Sequence, residues 1–323
     1  MPNSSALLIV HLGAMGDLVC IFPIIAALRR HFYPVGILCQ EHLGRLAAAE
    51  GLAEAWFPIE GAWSASLFTA RPGSEACRRL APFSDILCFS ASEALAAALK
   101  SISGARVCRI PPRPPAAEPI HVTEHARRRL LACGWRIEAE LDELKGSLTG
   151  LPYPGKAEPA SALLHPGAGS LRKRWPLEGF LTLARCLRSR GWGAEFLIGP
   201  AEEDLPAELE RQGEKALRPK DACELVARLR TASVYFGNDS GVSHLAAWAG
   251  VPSVVIFGPS DPERWRPRGR TVEIVQAAHT CKPCFENTGN NCDSAECLNQ
   301  IRVETVLQAF GRIVSSRTAQ HEP

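Results

Sequence analysis

Strands alternating with helices in two halves of similar size, with a proline-rich stretch between them, predict an α/β protein of two Rossmann-like domains facing a cleft. Length agrees, because 323 residues are too many for one comfortable core. The most informative stretch, Ala232–Pro262, reads as strand, Gly-rich turn, helix, strand, Gly-rich turn. That is a βαβ unit with loops at the carboxyl ends of its strands, where open parallel sheets bind ligands.

In chain order, Ala6–Val10 is expected as a strand and His11–Asp17 as a Gly-containing turn. Leu18–His31 then reads as a helix that Pro23 kinks or shifts. Val35–Cys39 is a strand, His42–Glu50 a helix, and Ala53–Ile59 and Asp85–Phe89 further strands. Ser92–Ser101 reads as helix, Arg106–Ile110 as strand, and His121–Cys133 as an amphipathic helix. Three prolines and a glycine in Leu151–Pro159 have linker composition and mark a boundary at 155/156.

The second half restarts the pattern. Ala162–Leu164 is a strand leading into His165-Pro-Gly-Ala-Gly-Ser170, followed by a helix over Leu177–Arg190. Glu195–Ile198 is a strand, and Leu205–Gln212 and Asp221–Leu229 are helices. Ser233–Phe236 and Val254–Phe257 are apolar strands around a helix over Val242–Ala249, capped by Asp239 or Ser240 and stopped at Gly250. The turn before that helix offers N–H groups and the positive end of a helix dipole, a seat for phosphate. The plain alternative is a βαβ turn in which Asp239 only caps.

Composition narrows the classes. Hydrophobic content of 46% and charged content of 22% describe a globular protein, and a net charge of +2 gives no global reason to expect nucleic acid. Met1-Pro-Asn-Ser-Ser carries no basic and apolar leader, and no apolar run reaches the roughly 18 residues of a span. A cytoplasmic chain without a membrane span is therefore expected. Of 12 cysteines, eight are scattered singly and are expected as small core residues in a reducing compartment. The remaining four form Cys281-x2-Cys284-x7-Cys292-x4-Cys297 in a Gly/Asn/Asp-rich loop. Structural zinc and free thiols are both open for them. No Gly-x-Gly-x-x-Gly stands where a nicotinamide enzyme needs it, and no Asp-x-Asp pair where a metal-bound sugar diphosphate would.

His165-Pro-Gly-Ala, Lys173-Arg-Trp-Pro176, Asn238-Asp-Ser-Gly-Val-Ser-His244 and Gly258-Pro-Ser-Asp-Pro262 together resemble glycosyltransferase family 9, the lipopolysaccharide heptosyltransferases. Gly16-Asp17 with Pro23 and Leu28 resembles the family's opening motif, and the cysteine segment resembles its tail. The resemblance runs from about residue 6 to about residue 311 and is sharpest in the C-terminal half.

It implies a GT-B fold, with an acceptor-binding domain over 1–155, a nucleotide-sugar-binding domain over 156–302, and a terminal helix over 303–323 that can return to the first domain. It implies an inverting heptosyl transfer that requires no cofactor. The donor would be ADP-heptose, and the acceptor a lipopolysaccharide core or lipid A precursor at the inner face of the cytoplasmic membrane. Other nucleotide sugars, or a non-catalytic sugar-nucleotide binder, are the rival readings.

The resemblance assigns roles by position. Asp17 matches the family's base, with helix capping as its alternative. Lys173 matches a cation that offsets the leaving diphosphate, with an exposed lysine as the alternative. Ser170 falls among phosphate-contacting hydroxyls, and Asp239, Ser240, Gly241, Val242 and His244 match the nucleotide- and sugar-binding turn. Glu224 is either a ribose ligand or a surface partner of Arg228. For an anionic acceptor, Arg109 and Arg113 stand beside Arg71 and Arg78 as candidates without a ranking among them.

Overall fold

The computed structural model describes residues 5–69, 71–115, 118–141, 160–200, 202–277, 283–286, 292 and 296–318, the side chains of 103 and 316–318 excepted. The chain forms two compact units, Met1–Ser147 and Leu148–Pro323. The expected linker and its boundary at 155/156 lie outside the described residues, as does Cys281.

In the first unit, β1 (Leu7–His11), β2 (Val35–Cys39), β3 (Ala55–Pro58), β4 (Asp85–Phe89) and β5 (Arg106–Ile110) form one parallel sheet in the order β3-β2-β1-β4-β5. β1, β2 and β4 are buried along their whole length, which is why they read as unbroken apolar runs. The expected helix Leu18–His31 is two helices, Met15–Cys20 and Phe22–Leu28, divided at Ile21. Pro23 sits in the first turn of the second, where its missing N–H breaks no intrahelical bond. The short helices Ala62–Ala65 and Ser74–Leu80 were not expected.

Two of the scattered cysteines are not lone thiols. Cys108 on β5 and Cys133 at the end of helix Val122–Ala132 are joined in a disulfide, because the helix packs on that strand and brings their Cα atoms to 6.2 Å. Cys39, Cys88 and Cys186 carry free thiols. Burial pushes those of Cys39 and Cys88 up to about 12.

In the second unit, β6 (Ser161–His165), β7 (Gly193–Leu197), β8 (Ala216–Leu217), β9 (Val234–Asn238), β10 (Ser253–Ile256) and β11 (Val272–Val275) form a parallel sheet in the order β11-β10-β9-β6-β7-β8. Both orders reverse direction at the first strand of their unit, the doubly wound arrangement with a switch point beside it. The switch points fall between β1 and β4 in the first sheet and between β6 and β9 in the second. The loops that carry Asp17 and the 165–173 and 238–244 segments leave the carboxyl ends of β1, β6 and β9.

Leu164, Trp175, Phe180, Phe236 and Ile256 join the core of this unit. In the terminal helix Val303–Thr318, Val306, Ala309, Phe310 and Ile313 bury on the second unit's sheet, with Phe310 edge-on to Phe236 and Trp192. Its apolar stripe matches that sheet face. Among the described residues no helix is long and apolar enough to cross a membrane.

Candidate functional site

Around the second switch point, one buried amide holds two loops together. Asn238 ends β9 with its side chain fully buried, donating through Nδ2 to the Pro166 carbonyl at 2.8 Å and accepting the Trp175 N–H through Oδ1 at 3.0 Å. Trp175 is itself pinned, its Nε1 donating to the Ile301 carbonyl at 3.1 Å and its ring closing on Gly179. The Trp-Pro pair therefore anchors the short helical turn Leu171–Lys173 beside β9. Asn238 and Trp175 were not among the expected site residues. Their signal was a polar side chain ending an apolar strand, and a tryptophan placed where it must be buried.

That anchoring delivers Lys173 to Asp239, with Nζ 2.8 Å from Oδ2. The pair is mostly withdrawn from solvent. Asp239 is thus an ion-pair partner and not the helix cap. Ser240 takes the capping role, accepting the Ser243 N–H at the start of helix Gly241–Trp248. Gly241 and Val242 are the first helical residues, whose N–H groups have no intrahelical partner.

His244 is buried one turn on, its imidazole pushed down to about 4 by burial, with Asp239 pulling up and Lys173 pushing down. Ser170 caps the Lys173 turn, its Oγ accepting the Arg172 N–H at 3.3 Å. Lys173, Asp239, Ser240, His244 and Ser170 are thereby brought together at one sheet end.

A segment that sequence reasoning did not link to this site also reaches it. The Phe285 ring lies under Lys173 Nζ, 4.1 Å from centroid to nitrogen, a cation–π contact. Cys284 and Phe285 both donate their N–H to the Pro259 carbonyl, and Glu286 accepts from Trp265 and pairs with Arg264. The Arg172 guanidinium donates to Cys284 Sγ at 3.5 Å. Burial raises the Cys297 thiol, and Cys284 and Cys292 raise it further. Among the described residues no group of three or more His, Cys, Asp or Glu side chains is placed to hold a metal ion.

Two further candidates have local partners. Glu224 is exposed at the third position of helix Ala222–Thr231, with Oε2 accepting the Lys220 N–H at 2.8 Å and Asp221 capping the same turn. It does not pair with Arg228, which reaches Glu195 instead. Asp17 belongs to the first unit, at the third position of helix Met15–Cys20, where Oδ2 accepts the Ala14 N–H at 3.2 Å. His11 ends β1 beside it: a Cβ on Gly13 would lie 2.9 Å from both His11 Cε1 and Asp17 Oδ2. Arg109, a candidate for an anionic acceptor, is held by Glu93 and the Ala91 carbonyl.

His11 matches His244 in one respect, since burial pushes its imidazole down to about 4 as well. Unfolded, both titrate near 6.5. Between pH 6.5 and 4 the unfolded chain therefore binds more protons than the folded one, and stability falls as pH falls. Each histidine removes up to about 3 kcal/mol across that window. The melting temperature is expected to drop between pH 6.5 and 5, where few carboxylates titrate. A flat profile there would show that one or both imidazoles are solvated.

A two-unit, doubly wound α/β chain with loop clusters at both switch points defines the GT-B class. Residues 134–293 match the model of glycosyltransferase family 9 (heptosyltransferase). Over 138 residues the chain is 31% identical to lipopolysaccharide heptosyltransferase 1 of Pseudomonas aeruginosa, covering 40% of this chain and 37% of that one. The chain spans about a third to a half of the length of the curated relatives it matches. In fold it is similar to a glycosyl transferase family 9 protein from Veillonella parvula, with TM-score 0.75, 16% identity, and coverage of 98% and 99% of the two chains. It is likewise similar to the E. coli ADP-heptose lps heptosyltransferase II, with TM-score 0.70, 15% identity, and coverage of 97% and 99%. The family match covers 160 of the chain's 323 residues, and over that stretch the chain is similar to glycosyltransferase family 9.

Proposed function

We propose that this protein is an inverting, metal-independent glycosyltransferase that moves heptose from ADP-heptose to a lipopolysaccharide inner-core acceptor. The observation that carries the reading is the Lys173–Asp239 pair set against the start of helix Gly241–Trp248. A compact cation beside unpaired helical N–H groups suits a diphosphate whose charge grows as it leaves. The adenosine and heptose parts of the donor rest on the family match and on the ADP-heptose named for a similar structure.

In the proposed reaction Asp17 takes the proton of the acceptor hydroxyl as its oxygen attacks the anomeric carbon. The bond from that carbon to the diphosphate breaks on the opposite face, which inverts the centre and releases ADP. Lys173 and the Ser240, Gly241 and Val242 turn balance the charge on the departing diphosphate. Asp239 and His244 bind the sugar, Asp239 also holds Lys173, Ser170 adds a hydroxyl, and Glu224 offers a carboxylate to the ribose. The acceptor places the work at a membrane surface, which the chain would meet peripherally.

The test is ADP release from ADP-heptose, with and without a heptose-deficient lipopolysaccharide core. Acceptor-dependent release is the expected result. If UDP or GDP raises the melting temperature and ADP does not, the donor assignment falls. Activity abolished by EDTA and restored by Mg²⁺ or Mn²⁺ would overturn the metal-independent step.

Zinc is proposed to bind Cys281, Cys284, Cys292 and Cys297 and to order the strip that carries Phe285, which requires the side chains to draw together, because the described Cys284, Cys292 and Cys297 are not grouped to hold an ion. Thiolates are the right donors for tetrahedral zinc. Metal analysis of protein purified without chelators is expected to read about one zinc per chain. A value near zero would refute the site.

A further inference from the structure

Behind the donor-binding turn runs a line of buried polar side chains that none of the roles above uses: Glu202, His165, Tyr235 and Ser243, each at most 4% exposed. We infer that these four residues form a support that positions the turn, and that the hydrogen bonds from His165 through Tyr235 to Ser243 run in one direction only, with His165 protonated at Nδ1. The inference rests on the reading of that turn as a nucleoside-diphosphate site.

The direction follows from the far end of the line. The Asn238 carbonyl can only accept, and Ser243 Oγ lies 2.5 Å from it, so Ser243 donates there. That commits the single Ser243 proton. Toward Tyr235, 3.0 Å away, Ser243 can then only accept, and the phenol donates. Burial pushes the Tyr235 phenol well above its ordinary range, so it keeps that proton. With its own proton committed, Tyr235 accepts from His165, whose Nδ1 lies 3.3 Å from the phenolic oxygen. Nδ1 must therefore carry hydrogen.

On its other side His165 presents Nε2 to Glu202 Oε2 at 3.9 Å, an electrostatic contact longer than a hydrogen bond. Burial alone would raise the Glu202 carboxyl, but His165, the Gly199 N–H at 2.7 Å and Arg174 outweigh it and hold the group below the usual range. The backbone closes on both ends of the line. A Cβ on Gly237 would lie 2.1 Å from the Tyr235 oxygen, and one on Gly167 would lie 2.3 Å from the Glu202 carboxyl.

Ser243 links this line to the site. Its N–H donates to Ser240 Oγ, and the two hydroxyl oxygens lie 3.3 Å apart. Ser243 Oγ has no proton left to give, so the Ser240 hydroxyl is the one that can turn outward to a phosphate oxygen. Glu202, His165, Tyr235 and Ser243 are positioning residues: they set where the Ser240 O–H and the neighbouring N–H groups stand.

Two measurements test this. Long-range proton–nitrogen NMR of histidine-labelled protein, with the His165 signal identified by its loss in His165→Asn, reads the tautomer directly. A proton on Nδ1 is expected, and a proton on Nε2 alone overturns the direction. Calorimetry with ADP then compares the wild type with Tyr235→Phe, which cannot donate to Ser243 and strands the imidazole N–H. About tenfold weaker binding is expected. A folded Tyr235→Phe variant with unchanged affinity overturns the positioning role. Wild type that does not bind ADP overturns the donor-site reading instead, and the tautomer still judges the network. Should Tyr235→Phe not fold, the wild-type spectrum decides alone.

Discussion

Replacing Asp17 by asparagine is expected to lower turnover by about 10²- to 10⁴-fold, the usual worth of a positioned base, while leaving the melting temperature close to that of the wild type. The substitution separates the two roles this carboxylate can have. At the third position of its helix Asp17 accepts the Ala14 N–H, and an amide oxygen can accept the same bond. An amide cannot take a proton from an acceptor hydroxyl. Asp17→Ala loses both functions, so its stability should also fall, by about 1 kcal/mol. ADP affinity is expected to survive in both, because the residues proposed to bind the donor belong to the other unit. Turnover that persists in Asp17→Asn would reduce Asp17 to a cap and move the base elsewhere.

The second large effect is expected at Lys173, where Lys173→Gln should cut the rate by about 10²- to 10³-fold, as loss of one preorganised charge to a leaving group does. It should also destabilise the fold by about 3 kcal/mol, since it leaves the Asp239 carboxylate buried without its cation. The double variant Lys173→Gln/Asp239→Asn removes both charges and is expected to recover most of the stability and none of the rate. That split, read by thermal melts beside single-turnover kinetics, divides the structural share of the ion pair from the chemical one. Recovery of turnover in the double variant would mean that Lys173 serves only to neutralise Asp239.

Much of the architecture was legible because parallel strands covered on both faces must be continuously apolar. Val35–Cys39, Asp85–Phe89 and Arg106–Ile110 fall where hydrophobic runs put them. The elements not expected lack that signal: β8 is two residues long, and β11 is an edge strand half open to solvent. Helices Ala62–Ala65 and Ser74–Leu80 are too short for a period to be read. The undivided helix expected at Leu18–His31 failed at Ile21, because a proline restarts a helix more readily than it bends one.

The amino-acid sequence by itself determined the fold class, the restart of the pattern in the second half, and which loops leave the carboxyl ends of the strands. Each of these follows from periodicity and from residues adjacent in the chain. Only the tertiary structure decided which of those residues meet. Lys173 faces Asp239 across 65 intervening positions because Asn238 and Trp175 tie two loops to one sheet end. Cys108 reaches Cys133 because a helix returns to its strand, and the terminal helix stays with the second sheet because Phe310 finds Phe236 there. Pairings of this kind depend on packing between distant segments, and no local pattern encodes a partner that lies far along the chain.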